Sequence, residues 1–93
     1  MPKVIATAEV EDMEKWEAGF ATHGDLFKAQ TITTPVDYLT DPESNQIILC
    51  FEPENLETFF EMLEKPETAE AMAHDGVKRE TVKFFVLNKS ATF

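Results

Sequence analysis

The sequence predicts an α+β fold in the order strand, helix, strand, strand, helix, strand, with a four-stranded antiparallel sheet carrying the helices on one face. Three observations predict it. Segments that alternate with a period of two and segments with helical spacing follow one another in that order. Turn-forming residues fall between them, at Pro35, at Asp41-Pro42-Glu43-Ser44-Asn45 and at Pro53. The chain of 93 residues holds no repeat, low-complexity tract or Gly/Ser linker, which fits one domain over 1–93 with one modest core.

Lys3 to Val10 reads as the first strand, with Val4, Ala6, Ala8 and Val10 on one face. Asp12 is a good helix N-cap, and Glu14 follows in the first turn, where the helix dipole favours an acid. Met13, Trp16, Phe20, His23 and Phe27 then recur at spacings of three and four, an apolar stripe that predicts one amphipathic helix. Gly24 costs that helix about 1 kcal/mol against alanine and is its weak point. Val36 to Thr40 predicts a short second strand, and residues 41–45 form the loop of a hairpin into a third, Gln46 to Glu52. Pro53 or Asn55 opens the next helix, with Leu56, Phe59, Phe60 and Leu63 on one side. Lys65-Pro66 interrupts it, and Pro66 suits the first position of a further short helix that carries Ala69, Met72 and Ala73 and stops at Gly76. Arg79 to Leu87 is the last strand, followed by a polar tail over 88–93.

Two right-handed crossovers around a central hairpin give the ferredoxin-like arrangement. A sheet with helices on one face normally leaves the other polar. Here Ile48 and Cys50 oppose Ile47, Leu49 and Phe51, while Phe85 and Leu87 oppose Val82, Phe84 and Val86. Ile5 and Leu39 add to whichever face their register selects. The chain has no second helical layer for this surplus, so a second copy packed sheet against sheet is the expected cover. The sequence predicts a homodimer through the sheet face.

Eighteen acidic residues against eight Lys and Arg give a net charge of −10, which disfavours nucleic acid and anionic membranes as partners. The longest apolar run, Ile47 to Phe51, is far shorter than the roughly 20 residues that span a bilayer. Glu9, Glu11 and Asp12 cut short the apolar stretch after Lys3, so no signal peptide is expected. The single cysteine forbids an internal disulfide, and the expected location is cytoplasmic. Glu57, Glu61 and Glu64 repeat at helical spacing as a solvated face, with docking of a basic protein as the functional alternative.

The run Glu9-Val10-Glu11-Asp12-Met13-Glu14-Lys15-Trp16, then Phe20 and His23, resembles the opening of the small dimeric α/β-barrel proteins related to antibiotic-biosynthesis monooxygenases. Asp41 to Leu49 is similar to that family's hairpin, and Leu56-Glu57, Phe59-Phe60, Pro66-Glu67, Ala71-Met72, Gly76-Val77 and Val82 to Phe85 continue the likeness. These are mostly fold-determining positions. The resemblance implies a dimer whose two sheets close into a barrel, with a small-molecule pocket in each subunit between sheet and helices. It also implies a choice among cofactor-independent oxygenases, haem-degrading enzymes, isomerases, cyclases and binding proteins. Haem-degrading members look for an Asn in the first strand, where this chain has Thr7, which counts against haem chemistry.

His23 is the candidate catalytic residue. It lies on the apolar stripe, and an imidazole there can act as base or hydrogen-bond donor toward a phenol or 1,3-dicarbonyl. The competing account is a buried histidine satisfied by a backbone carbonyl. Trp16, Phe20 and Phe27 read as the lining of a flat aromatic pocket or as plain core, and Tyr38 as a ligand hydroxyl or an edge tyrosine. His74, in a last helical turn, reads as a partner of the helix dipole. Cys50 reads as an inert small hydrophobe. Two histidines far apart with no HxH or HxxxH spacing match no metal pattern, and no phosphate loop, nucleotide fingerprint or serine-hydrolase elbow is present, so neither metal nor cofactor is expected. The expected function is a cofactor-independent, monooxygenase-like reaction on an aromatic or polyketide-like small molecule. The alternatives are a non-catalytic ligand-binding or stress-associated dimer and an acidic interaction module.

Overall fold

The computed structural model describes residues 2–93. Its elements are β1 (Lys3–Val10), α1 (Met13–Phe20), α2 (Gly24–Ala29), β2 (Asp37–Asp41), β3 (Gln46–Phe51), α3 (Leu56–Leu63), α4 (Pro66–His74) and β4 (Val77–Leu87). The strands form one antiparallel sheet in the order β2-β3-β1-β4. This is the expected ferredoxin-like α+β fold.

Register assigns the two faces. Residues directly opposite in an antiparallel pair share a face. Val4, Ala6 and Ala8 stand opposite Phe51, Leu49 and Ile47 on one side, and Val4 and Ala6 stand opposite Val86 and Phe84 on the other. These residues face the helices, and with Val10, Trp16, Ile32 and Phe59 most of them make the buried core. The intervening positions Ile5, Ile48, Cys50, Leu39 and Phe85 lie on the open face. They run in rows such as Asp37–Cys50–Ile5–Phe85. Leu39 and Phe85 are 52% and 51% exposed there.

Local chemistry explains the element ends. Asp12 Oδ1 accepts from the Lys15 amide at 3.1 Å and Asn55 Oδ1 from the Thr58 amide at 2.9 Å, so both helices start on side-chain caps. Pro66 occupies the first turn of α4. Gly76 follows the helix with φ +76°, the left-handed conformation that glycine adopts freely.

Three boundaries and one side chain differ from the sequence expectation. The single helix over Met13–Phe27 is two helices, because the chain tightens at residues 21–23: the Thr22 and His23 amides bond back only three residues, to Gly19 and Phe20 carbonyls. The Thr22 hydroxyl also donates to the Gly19 carbonyl at 2.7 Å, and Gly24 gives helix continuation little support. β4 begins at Val77 rather than Arg79, since Val77 pairs with Val10 and Lys78 with Glu9 beyond an irregularity in the ladder. There the Thr81 hydroxyl accepts from the Glu9 amide at 2.8 Å. The hairpin loop is 42–45, with Asn45 at φ 54°, because Asp41 still pairs with Gln46. Phe60 sits at the edge of the buried stripe of α3 and is 38% exposed.

Candidate functional site

β1 runs through the middle of the sheet and places two alanines, Ala6 and Ala8, under the helices. Small side chains there leave space that larger neighbours on β3 and β4 do not close. The result is a cavity of about 110 Å3 between the sheet and the helices. Its floor is Ala6, Ala8 and Leu49, and aromatic and aliphatic side chains of α1, α2, α3 and β4 complete the wall. Trp16 and Phe20 stack with centroids 4.9 Å apart, and Phe27 meets Phe20 edge-on at 5.4 Å. All three belong to the wall, as does His23. Tyr38 does not: its ring packs on the outer side of the same cluster, 5.1 Å from Phe20 and 5.7 Å from Trp16. Its hydroxyl donates to Glu17 Oε1 at 3.3 Å. Partial burial first, then the charge and hydrogen bond of Glu17, push the phenol above its ordinary value.

The break between α1 and α2 makes His23 the residue that precedes α2, and its ring turns toward the end of α4. There His23 Nε2 lies 2.7 Å from Asp75 Oδ2, and His74 Nδ1 lies 2.9 Å from Asp75 Oδ1. An ionised carboxylate only accepts, so both ring nitrogens are the donors. Nδ1 is then the ring nitrogen of His23 left for other partners. The Asp75 side chain is 5% exposed, His23 21% and His74 75%. Asp75 is thus a buried carboxylate whose two charge-capable partners are both imidazoles. Among the described residues it has no Lys or Arg partner.

Gly19 makes room for this arrangement. It is buried on α1, and a methyl group there would collide with the Asp75 carboxylate. Sequence reasoning read His74 as a helix-end cation and did not single out Asp75 or Gly19. One signal was available: Gly19 falls between Trp16 and His23 on the apolar stripe, where a missing side chain marks close approach by another group.

Gln30, at the end of α2, is buried in the wall and donates through Nε2 to the Thr68 hydroxyl at 3.5 Å, which in turn donates to the Met62 carbonyl at 2.7 Å. The cavity is therefore an apolar space with a His–Asp pair and an amide in its wall. Cys50, a free cysteine, lies on the open face of the sheet.

Fold and site together define a ferredoxin-like α+β protein with a helix-covered, aromatic-walled pocket that carries an acid–base pair. The sequence matches no family model and no curated protein. Solved structures do match. A proposed antibiotic biosynthesis monooxygenase from Bordetella bronchiseptica superposes with a TM-score of 0.71 at 18% identity, covering 97% of each chain. SnoaB, a cofactor-independent oxygenase from Streptomyces nogalater, superposes with a TM-score of 0.69 at 15% identity, over 98% of this chain and 94% of that one. The protein At3g17210 from Arabidopsis thaliana gives 0.63 at 13% identity, over 100% and 99%. The structure shares the fold of these antibiotic-biosynthesis-monooxygenase-like proteins.

Proposed function

We propose that this protein is a cytoplasmic homodimeric enzyme that removes a proton from a small aromatic or polyketide-like molecule and lets the resulting anion react with O2 without metal or flavin. The observation that carries the proposal is His23, held at 2.7 Å by a buried Asp75 in the wall of an apolar cavity. Asp75 fixes the tautomer, leaving His23 Nδ1 as the base, and stabilises the imidazolium once the proton has moved. An electron-rich phenolate or carbanion can then pass an electron to O2. For an activated methylene the balance is one O2 consumed, one oxygen atom retained as a carbonyl, and the other released as water with the two hydrogens. The cavity is smaller than the roughly 150 Å3 void that holds benzene, so it admits no more than one ring of a substrate.

The test is oxygen uptake with one-ring quinols, phenols and 1,3-dicarbonyls. His23→Ala should lower turnover by about 10²–10⁴-fold with assembly unchanged, while stability falls only by what the lost hydrogen bond to buried Asp75 costs, about 1–3 kcal/mol. An equal loss of stability and activity would make His23 structural. A second reading, binding without turnover, is favoured by the predominance of apolar side chains in the wall. It predicts saturable thermal stabilisation by the same compounds with no oxygen uptake.

The dimer rests on the open face, where Ile5, Leu39, Ile48, Cys50, Phe85 and Leu87 form an apolar surface that no helix covers. Sheet-to-sheet packing of two copies would bury it and leave each cavity on the outer, helical side. Light scattering at micromolar concentration should give twice the chain mass, and a monomer mass would overturn this part of the proposal.

A further inference from the structure

We propose that His23, His74 and Asp75 form a binding site for a divalent transition-metal ion of the Zn2+ class. The chain has two histidines, and both are aimed at one carboxylate from separate elements, α4 and the junction before α2. The three ligand atoms lie within 4.8 Å of one another. Asp75 is a buried anion with no Lys or Arg partner among the described residues, so its environment rewards a dication placed between it and the two rings.

The donor set is chemically suited. Imidazole with carboxylate selects zinc and its neighbours over Mg2+ or Ca2+, which prefer all-oxygen shells. Zn2+ holds such ligands at about 2.0–2.2 Å, and tetrahedral geometry then sets ligand atoms about 3.3 Å apart. The two nitrogen–oxygen separations run to different oxygens, 2.7 Å from His23 Nε2 to Asp75 Oδ2 and 2.9 Å from His74 Nδ1 to Asp75 Oδ1, so an ion held by one carboxylate oxygen needs one ring to swing toward that oxygen. His74 is three-quarters exposed and free to make that adjustment, whereas Asp75 is fixed by burial and His23 by its place in the cavity wall. Water completes the shell as fourth ligand. On binding, the hydrogens on His23 Nε2 and His74 Nδ1 pass through solvent to the other nitrogen of each ring, so neutral imidazoles stay neutral.

This site goes beyond the proposed reaction and competes with it. With metal on His23 Nε2, Nδ1 carries a hydrogen and no longer serves as a base. The metal-bound and proton-abstracting forms therefore exclude one another, which would make metal an inhibitor of the reaction proposed above.

The test uses the untagged full chain, stripped by a chelating resin and titrated with Co2+ as a spectroscopic probe. The expected result is one Co2+ per chain with the intense visible absorption of four-coordinate cobalt, bleached when Zn2+ is added. His74→Ala, at an exposed position, should keep its melting curve and lose at least tenfold in Co2+ affinity. Asp75→Asn should abolish the absorption, with circular dichroism confirming its fold. The spectrum of hydrated Co2+ alone, or unchanged binding in His74→Ala, overturns the site. The two proposals separate cleanly. Turnover lost in His23→Ala without Co2+ binding removes only the metal, and Co2+ binding with turnover unaffected in His23→Ala removes only the base.

Discussion

The two faces of the sheet are built from the same strands and do different work. On the helical face Val4, Val10 and Phe59 are almost fully enclosed, and the deliberate smallness of Ala6 and Ala8 opens a cavity among them. On the open face the apolar residues are fewer, and Leu39, Phe85 and Leu87 among them are about half exposed. The helical face thus sets the stability of one chain and shapes its pocket. The open face contributes stability only when something covers it. Alternation along β3 puts both roles in one strand, Leu49 inward and Ile48 outward.

That strand offers the sharpest experiment. Leu49→Ala should cost about 2–5 kcal/mol in urea denaturation, and the cost should not depend on protein concentration. Ile48→Ala should instead lower a melting temperature that itself rises with concentration, as coupled dissociation requires. Equal, concentration-independent losses at both positions would erase the distinction between the faces. Next in size is Gly19→Ala. Forcing a methyl group against Asp75 should cost about 1–3 kcal/mol and detach His23, visible as a changed imidazole resonance in NMR. Asp12→Ala should cost about 1 kcal/mol through loss of the α1 cap, checked by thermal melting.

The smallest effect is alkaline. Tyr38, through partial burial and Glu17, and Lys78, through its hydrogen bond and charge pairing with Glu9, both hold their protons more tightly when folded. Their contributions are complete below the ordinary values of 10.0 and 10.5 and fall away as pH rises past them. Melting temperature should decline above about pH 10, and less steeply in Tyr38→Phe, since phenylalanine does not titrate.

Strands and faces were legible because alternation is local: Ile47-Ile48-Leu49-Cys50-Phe51 states its own geometry. The helix break was only half legible. Gly24 marks weakness, but the hydroxyl of Thr22 competing for the Gly19 carbonyl is a matter of side-chain geometry. The His23–Asp75 pair was not legible, because it joins residues 52 positions apart, where the α1–α2 junction meets the end of α4. An Asp between His74 and Gly76 reads as a helix ending, and nothing in spacing marks it as buried.

Thr31 gives the site a mechanical character. A β-branched residue at φ 65° is strained, yet Thr31 holds that conformation at the end of α2 with its neighbours bonded to it. Its carbonyl accepts from the Glu54 amide at 2.9 Å, and its hydroxyl accepts from the Asn55 amide at 3.0 Å. At its other end α2 meets the tightened turn, Gly24 with open space around it, and the single link from His23 to Asp75. α2 is therefore a short lever bolted at Thr31 and latched at His23. A displacement of α2 that widened the way to Phe27 and Gln30 would pivot at the bolt and strain the latch, so the hydrogen bond that would prepare the proposed base would also resist that opening.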